Sequence, residues 1–68
     1  MNLHIEITII NDTDFNDNPI TLKSAESFLD GRNIKVSITC ENTVSDDDIK
    51  IQMRERLSAL GFTWETED

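Results

Sequence analysis

The chain is poor in most residues that build chemical sites. Among its 68 residues are one cysteine, one histidine, one proline, two glycines and no tyrosine. A single cysteine, Cys40, excludes an internal disulfide framework. With His4 as the only histidine, one chain cannot assemble the four Cys/His ligands of a structural zinc site. Gly31 and Gly61 stand too far apart for a glycine-rich phosphate loop. The longest unbroken apolar run is Ile9-Ile10, far short of a membrane span. Basic residues are scarce as well: 6 against 14 acids, a net charge of −8. That balance argues against direct nucleic-acid binding and against anionic membrane surfaces. The absence of a signal-peptide pattern and the free thiol predict a cytoplasmic product.

Enough remains for a fold. Leu, Ile, Val and Phe together number 19 of 68 residues, above the share at which charged chains stay disordered. The length predicts one small domain over 1–68, stabilised narrowly, because so short a chain buries only about 60% of its unfolded surface.

Leu3, Ile5, Ile7 and Ile9 alternate with His4, Glu6 and Thr8, the pattern of a half-buried strand. Residues 11–19 are dense in turn formers and read as a loop carrying Phe15. From Thr21 to Gly31, Leu22, Ala25, Phe28 and Leu29 share one helical face, with Thr21 as a cap and Gly31 as a stop. This predicts a short first helix; the alternative makes Ile20–Lys23 a strand returning on the first. Ile34, Val36, Ile38 and Cys40 alternate with Lys35, Ser37 and Thr39 and predict a second strand over 34–40.

The helix after it carries the clearest punctuation. Ser45 is the N-cap, Asp48 closes a capping box, and Val44 and Ile49 form a staple. Ile49, Met53, Leu57 and Leu60 recur at helical spacing, Gly61 stops the helix, and Phe62 folds back on Leu57. Asp46 and Lys50 stand four apart as a favourable pair. Phe62-Thr63-Trp64 predicts a short last strand, and residues 65–68 a frayed acidic tail. The expectation is therefore a small two-layer α+β domain of order β-α-β-α, with a possible short C-terminal strand and right-handed parallel pairing if the first unit is a crossover.

Nothing in this inventory supports catalysis, and no cofactor or metal is expected. His4 points to the outer face of its strand, and Cys40 lies on the apolar face of another without positive charge nearby in sequence. Asp12-Thr13-Asp14-Phe15-Asn16 opens like a calcium loop, but Asp17 stands where glycine is needed and Lys23 where glutamate is needed. An ordinary turn is the better reading.

The functional signal is charge clustering. Nine of the 14 acids fall in three groups: Asp12, Asp14 and Asp17; Asp46, Asp47 and Asp48; and Glu65, Glu67 and Asp68. The middle group also suits a helix start, where each carboxylate gains roughly 0.3–1 kcal/mol from the dipole. Clustered acids repel one another and cost stability, which suggests either a solubility role or a partner with a basic surface. Trp64, beside Glu65, is either core or an exposed anchor. The expected contact set is these nine acids with Trp64.

In size, acidity and lack of catalytic equipment the chain resembles small inhibitors from phages and mobile elements, among them anti-CRISPR and anti-restriction proteins. That resemblance implies a DNA mimic occupying the basic surface of a nucleic-acid-handling protein. Met1–Ile9, Val36-Ser37-Ile38 and Asp46–Leu60 also look like segments of the DinI family, acidic modulators of the RecA recombinase. The chain departs from that family in its short first helix and in Lys50, Arg54 and Arg56 on the later one, so no functional residue carries over. The alternative is an interaction module without mimicry: an antitoxin, an immunity protein or an assembly subunit.

Overall fold

The computed structural model describes residues 1–31 and 35–68. Strand β1, Asn2–Thr13, turns back into β2, Pro19–Leu29, which is followed by β3, Lys35–Glu41. Helix α1, Asp46–Ala59, leads to a two-residue strand β4, Thr66–Glu67. The sheet order is β3-β2-β1-β4. β1 and β2 are antiparallel, as are β2 and β3, while β4 runs parallel to β1.

This corrects the expected β-α-β-α order. Among the described residues the fold is a mixed four-stranded sheet carrying one helix, and the first predicted helix is absent. Its residues form β2, the alternative considered for Ile20–Lys23, continued to Leu29. The apolar set of that segment fits both periods. As a strand, Ile20, Leu22 and Phe28 look one way and Ala25 and Leu29 the other. Lys23, Ser24, Ala25, Glu26 and Ser27 are weak strand formers taken singly. They become strand because β2 is central, with backbone partners on both sides from Leu22 to Phe28. A helix there would have left β1 without that ladder. The two predicted strands are consequently parallel but not adjacent, since β2 lies between them. Ile34, expected on the second strand, lies outside the described residues.

Odd-numbered β1 residues face the helix. Leu3 and Ile5 pack with Ala25 and Leu29 of β2 and with Ile49, Met53 and Leu57 of α1. Ala25 and Ser27 are buried directly beneath the helix, where small side chains leave room for its approach. Ser27 Oγ donates to Val36 O at 3.2 Å, so this buried hydroxyl is satisfied. Val36, Ile38, Cys40, Val44, Phe62 and Trp64 complete the margin of the core.

The helix ends follow the sequence signals with one exception. Ser45 accepts the Asp48 N–H at 3.2 Å. The reciprocal bond, from the Ser45 N–H to the Asp48 carboxylate, is absent among the described residues; aspartate is one methylene shorter than the glutamate that usually accepts it. At the other end, Gly61 has φ +91°, Gly61 N–H donates to Ser58 O at 3.0 Å and Phe62 N–H to Leu57 O at 3.1 Å. These two bonds are a Schellman closure.

Two further expectations change. The last strand lies at Thr66–Glu67 rather than at 62–64, so the tail is not frayed. Glu65 N–H donates to Met1 O and Asp68 N–H to Leu3 O, both at 2.9 Å. The core also ends sooner than β1 does. Fourteen helical residues span about 21 Å, against roughly 40 Å for twelve extended ones. Ile9, on the helix-facing side of β1, is therefore 65% exposed, and Leu60 is exposed beyond the helix.

Candidate protein-docking surface

The mismatch in length makes the molecule a rod, 43 × 22 × 20 Å. β3 pairs with β2 only as far as Leu22. Beyond that point, β1 and β2 continue as a two-stranded arm that no third strand flanks among the described residues.

The arm is closed by its own backbone chemistry. Asp17 N–H donates to Asp14 O at 3.1 Å, and Asp17 then adopts φ +59°. A tight turn followed by a left-handed residue is a common hairpin solution, and aspartate tolerates that conformation better than most side chains. The Asp14 carboxylate accepts from Asn16 N–H at 2.8 Å and Asn18 N–H at 2.9 Å. Those two bonds, first Asn18 and then Asn16, lower the Asp14 pKa. Asp12 accepts from Thr13 N–H at 2.8 Å. Asp12, Asp14 and Asp17 thus belong to the tip, and two of them hold its backbone. Phe15, between them, is fully exposed.

Asp46, Asp47 and Asp48 sit at the start of α1. Asp46 meets Lys23 rather than the expected Lys50: Lys23 Nζ lies 3.1 Å from its carboxylate and 2.9 Å from Val44 O. Lys23 stands opposite Ile9 of β1, which places this group partway along the rod. The tail group occupies the far end, where β4 pairs with Asn2 and Leu3. Ten residues of extended β1 separate that end from the tip, about 33 Å.

The tail carboxylates are engaged. Glu67 takes two bonds from the Arg54 guanidinium, at 2.7 and 2.6 Å. The hydrogen bonding lowers the Glu67 pKa and raises that of Arg54. Glu65 meets the Met1 amino group. Asp68 accepts from the Asn2 amide at 2.8 Å and lies 3.7 Å from His4 Nδ1. Trp64 is half-buried against the core, so its ring is structural packing more than a free anchor.

The nine predicted acids are therefore brought into three separate stations along one axis. The sheet face away from the helix adds others that sequence reasoning did not group. Even-numbered β1 residues point there, and the register sets Glu6 opposite Glu26 and Leu22 opposite Glu41. Glu6 Oε1 lies 3.2 Å from His4 Nε2, and Glu26 is relieved by Lys35 Nζ at 3.2 Å. Lys35 also lies 5.9 Å from the Phe28 ring centre. Alternation alone placed Glu6 on this face; Glu26 could join it only once β2 was known to be a strand.

Among the described residues there is no enclosed pocket, no cluster of three or more His, Cys, Asp or Glu that would hold a metal ion, and no helix long and apolar enough to cross a membrane. His4 lies on the open face, and Cys40 Sγ is within 3.7 Å of Lys23 O. What the surface offers is an acidic rod whose arm exposes Ile9, Ile10 and Phe15 beside the tip acids. No protein-family model, curated protein or solved structure matches the chain.

Proposed function

We propose that this is a non-enzymatic cytoplasmic binding protein that inhibits a nucleic-acid-handling partner, such as a CRISPR or restriction complex, by occupying its basic surface as a DNA mimic. The supporting observation is the placement of acids at both ends and in the middle of a narrow rod. A duplex also presents its charge along an axis rather than as one spot. Of the nine acids read as phosphate substitutes, Asp47 and Asp48 at the helix start and Asp17 at the tip make no side-chain hydrogen bond or ion pair among the described residues and stand freest to face a partner. Association is fast and weakens as salt rises.

The test is capture of the partner from source-cell lysate after nuclease treatment. The captured protein is expected to bind nucleic acid, to be displaced by duplex DNA and by added salt, and to escape a D46K/D47K/D48K variant that remains folded. Capture indifferent to duplex DNA and to this variant overturns the proposal.

A second reading, docking without mimicry, is favoured by the arm. Phe15 is fully exposed at its end and Ile9 and Ile10 are exposed along it. In that case binding responds little to salt and is lost in Phe15→Ser.

A further inference from the structure

The lane outside β1 is open over most of its length. On β1, even-numbered residues spend their backbone groups on β2: Asp14 N–H donates to Asn18 O, and Asp30 N–H donates to Asn2 O. Odd-numbered residues turn theirs the other way, as the bonds received by Met1 O and Leu3 O show. The β1–β2 register is continuous from Leu3 opposite Leu29 to Thr13 opposite Pro19, so this alternation holds along the strand. β4 and Asp68 fill the lane as far as Leu3, whose carbonyl accepts the Asp68 N–H. Beyond them, the outward N–H and C=O groups of Ile7, Ile9, Asn11 and Thr13 have no strand partner among the described residues. That stretch of β1 is about 23 Å long.

Folded proteins guard such an edge with proline, lysine, a bulge or an inward charge. The β2 side of the arm has Pro19, which removes an outward donor. β1 has no such guard. It is unbulged, carries no lysine, arginine or proline, and leaves Ile9 65% exposed beside the open groups. The charge along this edge is of one sign. Glu6 and Asp12 are both exposed on the open face, six residues or about 20 Å apart. Asp14 and Asp17 lie past one end of the free stretch, and Asp68 past the other. A second copy would bring the same acids and a charge of −8 against them. A strand with cations at the matching positions is attracted instead.

We infer that the free edge of β1 takes an extended segment of a protein partner as an added antiparallel strand, with basic side chains opposite Glu6 and Asp12 and β-branched apolar ones opposite Ile7 and Ile9. Antiparallel pairing lets each outward residue exchange both of its bonds with one residue opposite. Eight partner residues, running from opposite Thr13 to opposite Glu6, form about eight such bonds and stop short of Asp68. Their side chains alternate between the two faces. Those beside Ile7 and Ile9 turn to the helix side and cover Ile9; those beside Glu6 and Asp12 turn to the open face. In strand addition of this kind, main-chain bonds give affinity and the alternating side chains give selectivity.

The inference rests on the proposed function only for the positive charge of the partner. It needs no nucleic-acid site. A captured partner indifferent to duplex DNA therefore removes the mimicry and leaves strand addition standing, while DNA mimicry by a chain that binds no strand does the reverse.

The probe is an end-blocked octapeptide, Thr-Lys-Thr-Val-Val-Thr-Val-Lys, titrated into the isotope-labelled chain and followed by nuclear magnetic resonance. The amide signals of Ile7, Ile9 and Asn11 should shift, and these amides should exchange more slowly with solvent. N-methylation of the fifth and seventh peptide residues, whose N–H groups face β1, should weaken binding about tenfold or more. N-methylation of the fourth and sixth, whose N–H groups face away, should leave binding unchanged. Replacing both peptide lysines with glutamate should abolish binding to the natural chain and restore it with the E6K/D12K variant. The methylated peptides use the natural chain, so the test stands even where that variant fails to fold. Equal losses for the two methylation patterns, shifts confined to the tip, or no rescue by a folded E6K/D12K overturn the inference. So does sedimentation of the free chain as a dimer with the Ile7 and Ile9 amides already protected, since a second copy would then hold the edge.

Discussion

Glu6 of β1 and Glu26 of β2 stand directly opposite each other on the open face of the sheet. Two carboxylates in that relation repel; Lys35 Nζ lies 3.2 Å from Glu26, and Glu6 Oε1 lies within hydrogen-bond distance of His4 Nε2 at 3.2 Å. All four side chains are solvent-accessible, so these contacts contribute little. The repulsion is left as a standing cost of the cross-strand pair. Glu6→Thr removes it and places a good strand former at the site. The expected gain is about 0.2–1 kcal/mol, read from the midpoint of urea unfolding with the slope unchanged. A loss of stability in this variant would show that Glu6 has an attractive role.

The hairpin turn makes a sharper demand. Asp17 holds a left-handed backbone at φ +59°. Asp17→Gly and Asp17→Asn should leave stability unchanged or raise it slightly, because both adopt this conformation readily. Asp17→Val should cost about 1–2 kcal/mol, since a branched side chain is least tolerant there. Chemical denaturation of the three variants ranks them; equal stabilities would mean that the turn relaxes instead of straining.

Acid sensitivity follows from Glu67. Its pKa is lowered below the ordinary 4.5, chiefly by the Arg54 hydrogen bonds. A depressed folded-state pKa means the ionised group stabilises the fold above the ordinary value, and that contribution is lost as pH falls through the folded value. Glu67→Gln should therefore cost roughly 0.2–1 kcal/mol at neutral pH and show a flatter decline in melting temperature on acidification below about pH 4.5. Asp14 titrates in the same direction through its turn bonds, so Asp14→Asn should flatten the remaining slope. Parallel acid profiles for wild type and Glu67→Gln would remove the Arg54 contact from the account.

Much of the docking surface was legible in the chain as a list and not as a map. The three acidic groups are visible as sequence runs, yet their separation along the rod follows from register alone. Trp64 shows the same limit. Its neighbours are polar in sequence, while in space it rests against the core. The regrouping of Glu6 with Glu26 needed β2 as a strand. So did the arm, because a first helix over 21–31 would have left no hairpin to project.

What the sequence determined by itself were the features written within a few residues of one another. The alternation of Leu3, Ile5 and Ile7 makes β1, and Ser45, Gly61 and Phe62 bound α1 through bonds that span three to five residues. The state of residues 21–29 was decided by tertiary structure, since their apolar spacing suits either period and only backbone partners on both sides made strand the better outcome. The tail from 65 to 68 was decided in the same way, by a β1 edge more than sixty residues distant in sequence. Local signals fix an element when its hydrogen bonds close within it; a strand's bonds close on its neighbours, so its existence waits on theirs.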